Sequence, residues 1–174
     1  RLPRSTDVQR RRRIGWHPMS TDTAFFSVDR VSHAYEDGTA VLRAIDWSIP
    51  AGAFHCLVGR SGCGKTTLLK LVAGLVQATE GGVRIEGQAI QGPSPKVGFV
   101  FQAPALLEWL SVIDNVLLPI SLHRRVQVAD RGTAAELLEL VGIADLAKRH
   151  PGQLSGGQQS RAALARALVT SPPA

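Results

Sequence analysis

Cysteine is scarce in this chain, with only Cys56 and Cys63 among 174 residues. Two thiols make no disulfide framework of the kind small secreted scaffolds rest on, and they suit a reducing compartment. Long apolar runs are absent as well, and nothing approaches the ~20 apolar residues needed to cross a bilayer. The first 18 residues hold no apolar stretch of signal-peptide length, so secretion is not indicated. There is no internal repeat and no heptad array, which removes solenoids and coiled coils from consideration.

Charge is also scarcer than the total suggests. The net +6 resides almost entirely in the leader, where Arg1, Arg4, Arg10, Arg11, Arg12 and Arg13 face only Asp7. That segment accounts for +5 and leaves +1 for residues 19–174, so the high isoelectric point is no footprint of nucleic acid, which is not an expected partner. The leader has two readings: a tail that seeks phosphates or anionic lipid, or residues upstream of a natural start at Met19. The second is favoured, because Met19 is the only methionine and the organised apolar pattern begins just after it. The remaining length suits one domain with a real core.

Ala24 to Val31 and Val41 to Ile49 alternate apolar and polar residues and are predicted as strands, parted by the turn Glu36-Asp37-Gly38. Phe54 to Val58 and Val97 to Phe101 are short continuous apolar runs, predicted as buried parallel strands. Thr66 to Val76 has helical spacing, and Val83 to Ile90 reads as a hairpin. After Gln102 the pattern is helical. One segment is capped by Ser111 or Asp114 and stops at Pro119, another spans Thr133 to Val141, a short one spans Ile143 to Lys148, and a last one is capped by Ser155. Strands come first, then an inserted helical block.

Residues 59–66, Gly-Arg-Ser-Gly-Cys-Gly-Lys-Thr, fit the pattern G-x-x-x-x-G-K-[ST], between an apolar run and a helical one. That context marks a nucleoside-triphosphate site. Glycines let successive N–H groups turn inward to phosphate oxygens, and the helix N-terminus adds partial positive charge. Gly59, Ser61, Gly62, Cys63, Gly64, Lys65, Thr66 and Thr67 are the candidate nucleotide-binding residues. Lys65 supplies a compact cation for the terminal phosphates, and Thr66 a hydroxyl for Mg²⁺. Cys63 is read as a small side chain in a tight loop, with a reactive thiol as the alternative.

A second phosphate receptor lies at Leu154-Ser155-Gly156-Gly157-Gln158, on the run-up to the last helix. One chain with two receptors suggests that two chains share each nucleotide. This pentapeptide together with the phosphate loop resembles the ATP-binding subunits of ABC transporters, over about residues 22–174. The resemblance implies an α/β fold: a P-loop NTPase core with a mixed or parallel sheet and an N-terminal antiparallel β subdomain. It also implies an inserted α-helical subdomain at about 103–160. It implies ATP and Mg²⁺ as cofactors and a head-to-tail second copy as partner. The other partners it implies are a membrane permease, a solute-binding protein acting indirectly, and a peripheral place on the cytoplasmic face of the membrane.

Single residues carry over on the same basis. Tyr35 resembles the aromatic residue that stacks on adenine, with an ordinary strand-end tyrosine as the alternative. Gln102 resembles the glutamine that reaches Mg²⁺ and the attacking water. Lys65, Gln102 and Ser155 are thus the candidate catalytic residues, with Thr66 and Gln102 on the metal. Arg161 and Arg166 are read as a solvated or interface face. The stretch Ala105 to Pro119 is similar to importer subunits for nitrate, sulfonate and taurine; there Trp109 and Leu106 line a docking groove or belong to the helical core.

The same resemblance calls for an apolar strand ending in Asp, a following Glu and a later His, and places them beyond Ala174. None of Asp114, Glu136, Glu139 or Asp145 ends a suitable apolar run. This chain alone is therefore expected to be marginally stable and slow or inactive in turnover, with a nucleotide-binding module lacking turnover as the alternative function.

Overall fold

The computed structural model describes residues 24–172, so the basic leader and Met19 lie outside it. Alternation along β1 (Ala24–Ala34) buries Phe26 and Val28 and, after an irregularity at Arg30 with φ 44°, Val31 and His33. β2 (Ala40–Pro50) and β3 (Glu80–Ile85) flank it antiparallel, and β4 (Gln88–Ala89) completes the order β2-β1-β3-β4. The β3–β4 link is the pair Glu86-Gly87, with φ of 50° and 77°. Two left-handed residues make the turn whose twist suits a hairpin.

Helix α1 (Lys65–Val72) lays Leu68, Leu71 and Val72 on this sheet, against Val28, Val31, Leu42, Val83 and Ile85. It stops at Gly74, whose φ of 71° lets the Leu75 amide bond the Lys70 carbonyl at 2.9 Å. A side chain is shut out there, since a Cβ would lie 2.1 Å from the Gly92 carbonyl oxygen.

The helical block has its own core. α2 (Val112–Ser121), α3 (Val128–Leu140) and α4 (Gly156–Leu168) bury Val112, Val116, Leu138, Ala162 and Ala165 together with Ile143. Ser111, and not Asp114, is the α2 cap: its Oγ accepts the Asp114 amide at 3.2 Å and donates to the Asp114 carboxylate at 2.5 Å.

Several expected elements differ. Neither Phe54 to Val58 nor Val97 to Phe101 is a strand; Phe54 is 95% and Val58 90% exposed. A parallel strand has no partner close in sequence and forms only beside another strand that it can pair with, and among the described residues neither run has one. The parallel part of the expected sheet is therefore not formed within these residues. α1 is shorter than Thr66 to Val76 because Gly74 turns left-handed. α2 continues through Pro119, because a proline near the last turn deletes one donor while the Leu122 amide still reaches the Leu118 carbonyl at 3.1 Å. α3 starts at Val128, five residues before Thr133, and Ile143 to Lys148 shrinks to one 3₁₀ turn, Ala144–Leu146.

The early start of α3 has a cause in Asp130. Its carboxylate accepts the Gln127 amide at 2.8 Å and both Arg124 guanidinium nitrogens at 2.6 and 2.7 Å. The Arg124 fork first, and the Gln127 amide second, lower its pKa from 3.8 to about 2. A carboxylate with a depressed pKa stabilises the fold above its ordinary titration range and loses that contribution as pH falls through the folded value. Hydrogen exchange should show the first turn of α3 opening between about pH 4 and pH 2, with no such pH step in Asp130→Asn.

Asn115 is fully buried inside α2. Its Oδ1 accepts the Leu107 amide at 2.7 Å, and its Nδ2 faces the carbonyls of Leu107, Leu110 and Ser111 at 3.0–3.1 Å. One amide thus shapes the 107–111 loop. Asn115→Ala strands those groups and should cost about 2–4 kcal/mol in urea unfolding of the whole protein.

Candidate functional site

The phosphate loop turns on two glycines in the left-handed region, Gly62 at φ 77° and Gly64 at φ 93°. Gly64 is the α1 N-cap and is buried against β2; a Cβ there would come within 2.8 Å of Leu42 Cδ2 and 3.1 Å of Val41 Cγ1. The helix starts from its carbonyl, which accepts the Leu68 amide at 2.8 Å. The N–H groups of the first turn have no carbonyl above them, so they face the loop.

Lys65 bends back across this loop. Its Nζ donates to the carbonyls of Gly59 at 2.8 Å and Arg60 at 2.7 Å and lies 3.6 Å from Cys63 Sγ. The ammonium thus gathers two carbonyl oxygens of the loop, and the Cys63 amide lies 3.4 Å from the Arg60 carbonyl oxygen that it donates to. Cys63 fits closely, since a Cβ at Gly59 would stand 2.8 Å from its sulfur. That supports the reading of Cys63 as a small side chain in a tight turn.

Tyr35, Val41, Ser61, Gly62, Gly64, Lys65, Thr66, Thr67 and Gln102 line one cleft of about 580 Å³. That volume is in the range of small-ligand pockets. Tyr35 is half exposed, its hydroxyl 2.9 Å from Thr67 Oγ1 and its ring edge-to-face with His33 at 5.1 Å. His33 is held by the Gln77 carbonyl, 2.9 Å from its Nδ1. The Tyr35 ring is thus held through its hydroxyl and through its contact with His33. Thr66 and Gln102 are exposed and bring a hydroxyl and an amide oxygen, hard donors that fit Mg²⁺ arriving with a phosphate chain. Among the described residues no cluster of three His, Cys, Asp or Glu side chains gathers, and no carboxylate lines this cleft.

Ser155, Gly156, Gly157 and Gln158 stand elsewhere, and none of them lines the cleft. Ser155 caps α4: its Oγ accepts the Gln158 amide at 3.3 Å, while Gln158 Oε1 accepts the Ser155 amide at 2.8 Å. Gly156 and Gly157 have open space where a Cβ would point. The structure therefore gathers Tyr35, most of the 59–67 loop and Gln102 around one cleft and leaves the Ser155 pentapeptide on an exposed helix start.

Sequence reasoning missed two residues here. Arg166 is not part of a solvated face: it is partly buried, and its two terminal nitrogens donate to the carbonyls of Ala105 and Pro104, each at 2.8 Å. Burial lowers its pKa, and the guanidinium stays cationic. Helical periodicity does not separate it from Arg161, which is exposed. His33 gave no signal beyond alternation. Of the two groove candidates, Trp109 is 73% exposed, while Leu106 packs on the helical core.

The profile of the family described as "ABC transporter" matches residues 42–174. The chain belongs to that family. It is similar to the taurine import ATP-binding protein TauB of Sinorhizobium fredii, 44% identical over 138 residues, covering 78% of this chain and 52% of that protein. It is also similar to the spermidine/putrescine import ATP-binding protein PotA of Thermobifida fusca, 44% identical over 155 residues, 85% of this chain and 40% of that one. The chain thus spans about half or less of the length of these relatives. Among solved structures, the dimeric post-hydrolysis state of the ATP-binding cassette MJ0796 bound to ADP and Pi superposes with TM-score 0.77 and 32% identity, over 84% of this chain and 70% of that one. The fold is accordingly that of an ABC cassette with a P-loop core, and the antiparallel sheet is its N-terminal part.

If the Tyr35 ring is the platform, Tyr35→Phe should bind a fluorescent ATP analogue within about twofold of the unaltered protein, and Tyr35→Ala about tenfold more weakly. Equal affinities for the two variants in a fluorescence titration would remove the ring from the site.

Proposed function

We propose that the whole protein is the ATP-binding and ATP-hydrolysing subunit of an ABC importer for a small solute. It acts as a head-to-tail pair docked on a membrane permease at the cytoplasmic face. One observation carries this reading: the cleft holds Lys65, Thr66 and Gln102, while the Ser155 pentapeptide is exposed and outside it. A second copy presenting its pentapeptide to the cleft completes the grip on the phosphates. In this arrangement the loop amides and Lys65 would neutralise the phosphate chain, Thr66 and Gln102 would hold Mg²⁺, and Gln102 would orient the water for in-line attack. Mg²⁺ supplies charge neutralisation at the phosphate oxygens.

Residues 19–174 form the nucleotide-binding domain in this reading, with the helical subdomain at about 103–160 turned towards the permease. In this reading the crossing is made by the permease; among the described residues no helix is long and apolar enough to cross a membrane. The stretch Ala105 to Pro119 supports a solute of the nitrate, sulfonate or taurine kind. Relatives of equal identity are named for taurine and for polyamines, so selectivity is assigned to the permease and to a solute-binding protein. A second reading, nucleotide binding without turnover, is favoured for residues 24–172 taken by themselves, because no carboxylate lines their cleft.

Light scattering of the whole protein with Mg²⁺ and a non-hydrolysable ATP analogue tests the pair. The unaltered protein should double in mass, Ser155→Arg should bind the analogue and remain single, and Lys65→Ala should lose both properties. Pairing that survives Ser155→Arg would overturn the shared-site arrangement.

A further inference from the structure

The segment around Gln102 is held by α4 at two points. On one side Gly98 comes so close to that helix that a Cβ would stand 2.9 Å from the Ala167 carbonyl oxygen. On the other, the Arg166 guanidinium forks onto the carbonyls of Pro104 and Ala105. Ala105 has φ 47°, left-handed backbone that an alanine adopts only under constraint. Between the fork and Gln102 lies Ala103 alone, and Pro104 fixes its own φ and confines the residue before it to extended backbone. The connection is therefore stiff: movement of Arg166 is delivered to Gln102 instead of being absorbed. The other end of the same helix is Ser155, roughly 16 Å away at the α-helical rise.

We infer that Arg166 is a positioning residue: it latches Ala105 in its left-handed conformation and thereby ties the setting of Gln102 in the cleft to the orientation of α4. A lysine offers one point charge at this place, whereas the planar fork addresses two adjacent carbonyls at once. A phosphate chain gripped at Ser155 by a neighbouring copy fixes α4, and Arg166 passes that fixed orientation to the glutamine. The inference rests on the role given above to Gln102, but the latch itself is a property of the free protein.

Two measurements on the whole protein separate the two. By mass-spectrometric hydrogen exchange without nucleotide, Arg166→Ala should accelerate exchange over residues 102–107 by about tenfold and leave α2 unchanged. In steady-state hydrolysis, Arg166→Ala should lower kcat by about tenfold and change KM for ATP by less than about threefold, because the binding groups of the cleft are untouched. Ala105→Gly supplies the left-handed residue at no steric cost, so Ala105→Gly combined with Arg166→Ala should regain a large part of the lost kcat. An unchanged kcat and exchange rate in Arg166→Ala would overturn the latch. A loss of kcat that Ala105→Gly leaves in place, accompanied by a lowered Tm, would reduce Arg166 to a packing residue and overturn it equally. If exchange responds as stated while the unaltered protein hydrolyses no ATP, the functional reading fails and the latch stands.

Discussion

The ammonium of Lys65 is the interaction on which the site depends. Carbonyls that cluster on one side of a tight loop repel one another unless a cation gathers them. Lys65 does this for Gly59 and Arg60, and Gly64 seats the same loop on β2 where no side chain has room. Fold and site are coupled through these contacts: the helix that begins at Lys65 also buries Leu68 and Leu71 in the sheet core.

A second constraint acts at a distance from the loop. The helical block has a separate core, yet it is not free of the cleft, because α4 is joined to the residues on either side of Gln102. A close backbone approach at Gly98 and the arginine fork make these joins, and apolar groups make the core. Asn115 plays a similar part within the block, where four hydrogen bonds from one amide replace the regular structure that the 107–111 loop lacks.

Local chemistry was legible in the sequence. The pattern of residues 59–66, the Ser155 cap and the strands β1 and β2 each depend on neighbours near in sequence, and each is present, although left-handed residues at Arg30 and Ala44 interrupt the alternation. What depends on remote partners was not legible. Phe54 to Val58 has the composition of a buried strand, but a strand is made by its neighbours, and this run has none among the described residues. Arg166 reads as one more surface arginine until the chain brings Pro104 and Ala105 back to it, about sixty positions away in sequence. Pro119 was over-read because the cost of a proline depends on how much helix follows it.

Exposure of Trp109 has a spectroscopic consequence. Trp47, by contrast, is partly covered and hydrogen-bonds His55 through its indole nitrogen at 3.2 Å. An indole bathed in solvent emits to the red and is open to soluble quenchers, so these two of the chain's three tryptophans report on different surroundings, while Trp16 lies outside the described residues. Any body that comes to rest on the 107–111 loop shifts the emission of Trp109 to the blue and shields it from iodide. The molecule thus carries an intrinsic optical gauge on the face of its helical block, with no label attached.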